Sequence, residues 1–189
     1  MYPSDLRAHL FGRLDPRPAP RLAAGDRLAA VLVPVVDGHE LVFTRRTEHL
    51  RRHPGEISFP GGLADPDDAD PAATALRELQ EELGLAPERI EVLGALPAVH
   101  TFVSAILIVP FVGMLEGDPV FSPHEGEIAE VLRYPLVELD AAEATVEWLR
   151  DGHVYHGSAY PMPDGNTIWG ATGKILHGLL GALRKEASA

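Results

Sequence analysis

The sequence predicts a mixed α/β or α+β domain, and three observations carry that expectation. Strand-length apolar stretches rich in β-branched residues interleave with amphipathic helical stretches, without the regular βαβ alternation of a doubly wound sheet. The 189 residues are 46% apolar and 23% charged, a globular composition that excludes wholesale disorder. The length suits one domain, with residues 1–27 as an N-terminal helix and Pro-rich arm and 28–189 as the domain proper, C-terminal helix included.

Taken in chain order, Ser4 is placed to cap a short helix over Asp5 to Phe11, and Pro16-Arg17-Pro18-Ala19-Pro20 reads as an extended arm. Leu28 to Val36 is a strand, Asp37-Gly38 a turn, and Leu41 to Thr44 the returning strand of a hairpin. Pro34 argues against the first strand, because proline donates nothing to a ladder. Glu56 to Phe59 is a short strand closed by a turn at Pro60-Gly61-Gly62. Pro71 to Leu83 is helical: Asp70 is its N-cap, Pro71 its first residue and Gly84 its stop, with Leu76, Leu79 and Leu83 on one face. Strands follow at Glu91 to Leu96, Ser104 to Leu115 and Glu130 to Arg133. A helix over Pro135 to Leu149, short strands at His153 to Tyr160 and an amphipathic helix from Ile168 to Arg184 complete the chain.

Composition narrows the chemistry. A net charge of −12 opposes broad binding to nucleic acids or anionic membranes, both of which need a positive surface. The absence of cysteine removes disulfides, thiolate-bound metals and thiol nucleophiles, and suits a cytoplasmic location. Met1 to Phe11 lacks the apolar centre of a signal peptide, and the apolar run Ala105 to Val112 is far shorter than a membrane span of ~20 residues.

Charge is segregated. Arg45, Arg46, Arg51 and Arg52 crowd one segment, whereas Asp65, Asp67, Asp68, Asp70, Glu78, Glu81 and Glu82 dominate the next, and Gly61-Gly62 lies between them. Carboxylates hold hard cations, such cations neutralise phosphate, and arginine forks grip the remaining oxygens. On the helix, Glu78, Glu81 and Glu82 share one edge at spacings where like charges repel, in the half whose macrodipole disfavours anions. Arg77 relieves part of this by pairing with Glu81. A bound divalent cation would relieve the rest; a solvated charged edge is the alternative, and spacing alone does not decide. Glycines 61 and 62 are either plain turn residues or a place where backbone approaches the metal–phosphate site closely.

These residues carry a resemblance. Gly62 followed by Arg77-Glu78-Leu79-Gln80-Glu81-Glu82-Leu83-Gly84-Leu85 resembles the Nudix box, with one extra residue before Arg77 and an aspartate-rich loop where the box has an isolated glutamate. Asp68 or Asp70 is placed to stand in for that acid. Thr44-Arg45-Arg46-Thr47, Leu50-Arg51, Gly55 and Phe59-Pro60-Gly61-Gly62 are similar to the motif preceding the box in coenzyme A diphosphatases. Ile168 to Thr172 resembles the start of that branch's C-terminal helix, so the likeness covers most of Leu28 to Leu180.

The resemblance implies the Nudix fold, an α/β/α sandwich around a mixed β-sheet, and metal-dependent hydrolysis of a diphosphate. It implies Mg²⁺ or Mn²⁺ on Glu78 and Glu82, with Glu81 an auxiliary catalytic carboxylate and Arg77 an orienting residue. Arg46 and Arg51 would contact phosphates, with Gly61 and Gly62 at the substrate. Glu127 and Glu130 lie where relatives supply a further acid, and Glu127 is placed in the catalytic set. The implied substrate is the small molecule coenzyme A or a derivative, cleaved to 3′,5′-ADP and 4′-phosphopantetheine; a homodimer stays open. Other nucleoside diphosphate derivatives, or a non-catalytic ligand sensor, are the competing expectations.

Rival motifs fail on spacing. The Asp65 to Asp70 run has Asp70 and Leu76 where a calcium loop needs glycine and glutamate. Gly173-Lys174 is followed by Ile175, which a P-loop does not permit, and His124-Glu125 has no second histidine at position 128.

Overall fold

The computed structural model describes residues 5–50, 53–101, 105–150 and 152–184. Strand β1 (Arg27–Val36) is its axis, hydrogen-bonded in parallel to β7 (Ile106–Leu115) along its whole length. Its side chains alternate: Ala30, Leu32 and Val36 enter one core layer, and Val33 and Val35 the other. Burial on both faces explains its nearly unbroken apolar sequence. Strand β2 (Glu40–Arg46) follows the turn at Asp37-Gly38 and pairs antiparallel with β1, with β3 (Ile57–Ser58) and with β8 (Ile128–Pro135). On the far side of β7 lie β5 (Glu91–Ala95) and the short β6 (Val99–Thr101). The sheet is therefore mixed.

Helix α2 (Pro71–Leu83) covers one face through Ala75, Leu79 and Leu83. Helices α1 (Leu6–Leu10) and α4 (Gly170–Arg184) cover the other, where Leu6, Leu10, Leu176, Leu179, Leu180 and Leu183 join one core. This is the expected α/β/α sandwich. Among the described residues no helix is long and apolar enough to cross a membrane.

Pro34 is accommodated by a gap. The amide of Leu32 donates to Pro60 O, so the nitrogen of Pro34, two residues on, faces the same edge. There β1 has left β4 (Gly61–Leu63), which pairs with Ala29 to Val31, and has not yet met β2 at Val35. No partner carbonyl waits for the missing proton.

Four expectations are corrected. Asp5, not Ser4, caps α1, its carboxylate accepting from the Ala8 amide at 2.9 Å; Ser4 lies outside the described residues. Gly61 and Gly62 form strand β4 instead of a turn. The helix expected over Pro135 to Leu149 stops early as α3 (Leu136–Ala141), and β9 (Ala144–Arg150) follows, paired with β10 (His153–Pro161). Ile168 belongs to β11 (Thr167–Ile168), which extends that second sheet. Trp169, just after it, is 57% exposed.

Candidate active site

Helix α2 is built as its caps dictate. The Asp70 carboxylate accepts from the Ala73 amide at 2.8 Å, and Gly84, at φ 65°, closes the C-terminus through its amide to Gln80 O. Three glutamates leave this helix for three different environments. Glu81 is largely exposed, Glu78 is mostly covered, and Glu82 is only 6% exposed. They share one edge of α2 in sequence spacing but not a common exposure, so a uniformly solvated edge is excluded. Glu82 follows Ala75 by seven residues and Leu79 by three, and those two residues are fully buried. Counting alanine as part of the apolar arc is the signal that would have shown it.

The β4 glycines receive these carboxylates. The Gly61 amide donates to Glu82 Oε2 at 3.3 Å, while a Cβ on Gly62 would lie 2.5 Å from Glu78 Cδ. Gly61 has φ 154° and packs so tightly on β1 that a Cβ would sit 2.5 Å from Val31 Cα. Close approach, not turn formation, is what requires both glycines.

Electrostatics at this point are strained. Burial pushes the Glu82 carboxyl up to about 8, and the neighbouring charges of Glu78 and Glu127 add to the effect; the Gly61 amide and Arg46 oppose it. Burial also raises Glu78, against the hydrogen bond from Arg77. Glu127 is therefore near enough for its charge to act on both glutamates. It is carried by a segment strapped between elements: the amides of Ser122 and His124 donate to the carbonyls of Leu83 and Glu82 at the end of α2, and the Thr47 amide donates to Glu127 O. Glu130, the other candidate, is instead paired with Arg45.

Arg46 comes from β2 to the same place. Its Nε is buried without a hydrogen-bond partner, and its guanidinium makes no ion pair among the described residues, although it lies within electrostatic reach of Glu82. A buried donor left open in this way is costly unless a ligand completes it. Arg51 lies outside the described residues.

Arg77 has no donor to spare. Nε and Nη2 reach Asp68, Nη1 reaches Glu78 and Glu81, and Nη2 also reaches Leu63 O, which accounts for all five N–H groups. It orients carboxylates and leaves no hydrogen for substrate. Of the two acids offered as stand-ins for the upstream acid, Asp70 is engaged as a cap and Asp68 pairs with Arg77.

The residues fit a hard divalent cation of magnesium type. No group of three or more acidic or imidazole side chains forms a complete cage among the described residues. Glu78 and Glu82 offer two carboxylates beside an open arginine, and Mg²⁺ characteristically takes one or two carboxylates and completes its octahedron with water and phosphate oxygens.

The NUDIX domain family matches residues 26–156. The chain is 38% identical over 168 residues to a protein of Pectobacterium atrosepticum called uncharacterized Nudix hydrolase NudL, covering 86% of this chain and 85% of that one. Among solved structures it is similar to a MutT/nudix family protein from Enterococcus faecalis, with TM-score 0.52 and 14% identity, covering 88% of this chain and 62% of that one. It is also similar to a MutT protein from Methanosarcina mazei Go1, with TM-score 0.51 and 17% identity, covering 63% of this chain and 85% of that one.

Proposed function

Because the chain belongs to the Nudix hydrolase family, we propose that it hydrolyses the diphosphate of coenzyme A or an acyl derivative, giving 3′,5′-ADP and 4′-phosphopantetheine or its acyl form. The observation that carries this reading is the placing of Glu78 and Glu82 against the β4 glycines, with an unpaired, half-buried Arg46 and Glu127 within electrostatic reach. Support for the substrate comes from the Thr44 to Gly62 segment, which resembles that of coenzyme A diphosphatases. It also brings positive charge to a −12 protein that must hold a polyanion.

In this reading Glu78 and Glu82 hold Mg²⁺ or Mn²⁺, with Glu81 assisting from solvent. When bound, the cation neutralises diphosphate oxygens and acidifies water. Arg46 directs its open Nε–H to a phosphate oxygen, joined by Arg51. Glu127 accepts a proton from the attacking water, and the water's oxygen bonds to phosphorus as the bridging P–O bond breaks. The bridging oxygen leaves on the other phosphate.

The test is turnover of the purified chain with Mn²⁺ on coenzyme A, dephospho-coenzyme A, ADP-ribose, NADH and dinucleoside polyphosphates. Coenzyme A is expected to be cleaved with the highest kcat/KM, ahead of the dephospho form that lacks the 3′-phosphate. Efficient turnover of ADP-ribose or NADH with coenzyme A untouched would replace this substrate by another of the same chemistry. No turnover of any of them would favour a ligand sensor.

Arg46→Ala should raise KM about tenfold or more, because a charge-assisted contact is worth roughly 1.5–3 kcal/mol. Arg46→Lys should recover only part, since an ammonium lacks the planar fork. Unchanged kinetics in the Ala variant would remove Arg46 from the substrate contacts.

A further inference from the structure

Glu127 belongs to no helix or strand, yet the turn that carries it is held at both ends. On one side the amides of Ser122 and His124 donate at 2.8 and 2.9 Å to the carbonyls of Leu83 and Glu82, acceptors that the end of α2 leaves open. Glu82 thus holds this segment by its backbone while its side chain accepts from the Gly61 amide. The His124 carbonyl then accepts from the amides of Glu127 and Ile128, both at 2.9 Å, which closes the turn.

The other end is set by β2. Its ladder with β8 skips Ala129: Arg45 opposes Glu130, but Arg46 opposes Ile128. An extra residue of this kind re-aims the chain beside it. In regular register Thr47 would face Ile128; the bulge brings Glu127 there instead, and the Thr47 amide donates to Glu127 O at 2.9 Å. Thr47 is only 7% exposed, and its hydroxyl donates to Gly126 O at 3.4 Å, with His49 Nε2 also at 3.4 Å. Its amide and hydroxyl therefore grip the two carbonyls on either side of the Glu127 peptide. We infer that Thr47 is a positioning residue for Glu127: with the Glu82 carbonyl it suspends the turn between the helix of the metal carboxylates and the strand of Arg46. The inference rests on the reading of Glu127 as the proton acceptor.

The test uses whichever of coenzyme A, ADP-ribose, NADH and the dinucleoside polyphosphates the wild type turns over fastest. Glu127→Gln should lower kcat on the order of 10²-fold, the scale of a lost general base. Thr47→Val should lower kcat about tenfold, a part of that contribution, with KM, Mn²⁺ affinity and melting temperature close to wild type. Thr47→Ser restores the hydroxyl and should recover most of kcat. In a Glu127→Gln background Thr47→Val should add nothing, because residues acting through one partner are non-additive; a general loss of structure would add in full. Wild-type kcat in Thr47→Val beside a slow Glu127→Gln overturns the positioning role alone. So does additivity, or a Thr47→Val defect that falls on KM or Mn²⁺ affinity instead of kcat. Wild-type turnover by Glu127→Gln overturns its reading as the base and this role with it, as does a wild type that hydrolyses none of these diphosphates.

Discussion

Glu82→Gln, and separately Glu78→Gln, should each lower kcat on the order of 10³-fold at saturating Mg²⁺, the scale set by several kcal/mol of lost electrostatic stabilisation. The two differ in what else they change. Glu82 is buried beside Glu78, and its carboxyl is held up to about 8, against 4.5 for an ordinary glutamate. A folded-state pKa raised in this way means that the native protein binds the extra proton. Its stabilising contribution is complete below pH 4.5 and is lost as pH rises toward 8. The metal-free protein should therefore melt at lower temperature at pH 8.5 than at pH 5.5, beyond what its other groups cause. Glu82→Gln should flatten that slope and melt higher than wild type at the upper pH, while being nearly inactive. Adding Mg²⁺ should raise the wild-type melting temperature and leave the variant unmoved. Near-wild-type turnover in both Gln variants would end the metal assignment, whatever the melting curves show.

Such a trade between stability and charge is what made part of the site legible and hid the rest. Helix α2 could be read to the residue because its signals are local: Asp70, Pro71 and Gly84 mark its ends and Leu79 and Leu83 its buried face. The glutamates were legible as a conflict, three anions in the wrong half of a helix. Their unequal burial was legible only in part: Ala75 and Leu79 place Glu82 on the buried arc, but the strand that receives Glu78 and Glu82 is set by pairing between residues 61–63 and 29–31, which no local pattern encodes. The same limit explains β9. Residues 135–149 carry no proline or glycine after Pro135, so the early stop of α3 has no local marker, and the strand that follows is defined by pairing with 153–161. Asp68 illustrates a third case. Its place in the sequence suggested a stand-in for the upstream acid of the box without saying what that acid touches, and the geometry commits both its oxygens to Arg77, Thr74 and the loop.

Replacing the two β4 glycines by alanine should separate fold from chemistry within one dipeptide. A Cβ at position 61 would press on the Ala30 carbonyl and stand 2.5 Å from Val31 Cα, at a φ of 154° that L-residues rarely adopt. Backbone cannot step aside cheaply, so Gly61→Ala should cost about 1–3 kcal/mol of stability, or several degrees in melting temperature. At position 62 the Cβ would meet the Glu78 carboxylate instead, 2.5 Å from its Cδ. That carboxylate is the far end of a flexible side chain and can swing away at little energetic expense. In doing so it would leave the place where, on our reading, the cation binds. Gly62→Ala should thus keep a near-wild-type melting temperature while kcat falls roughly 10²-fold, the loss expected when a preorganised charged group is displaced. Its Mn²⁺ affinity should fall in parallel. A Gly62→Ala protein that melts and turns over like wild type would show that Glu78 can reach its working position from elsewhere, and the cradle formed by β4 would lose its role in catalysis.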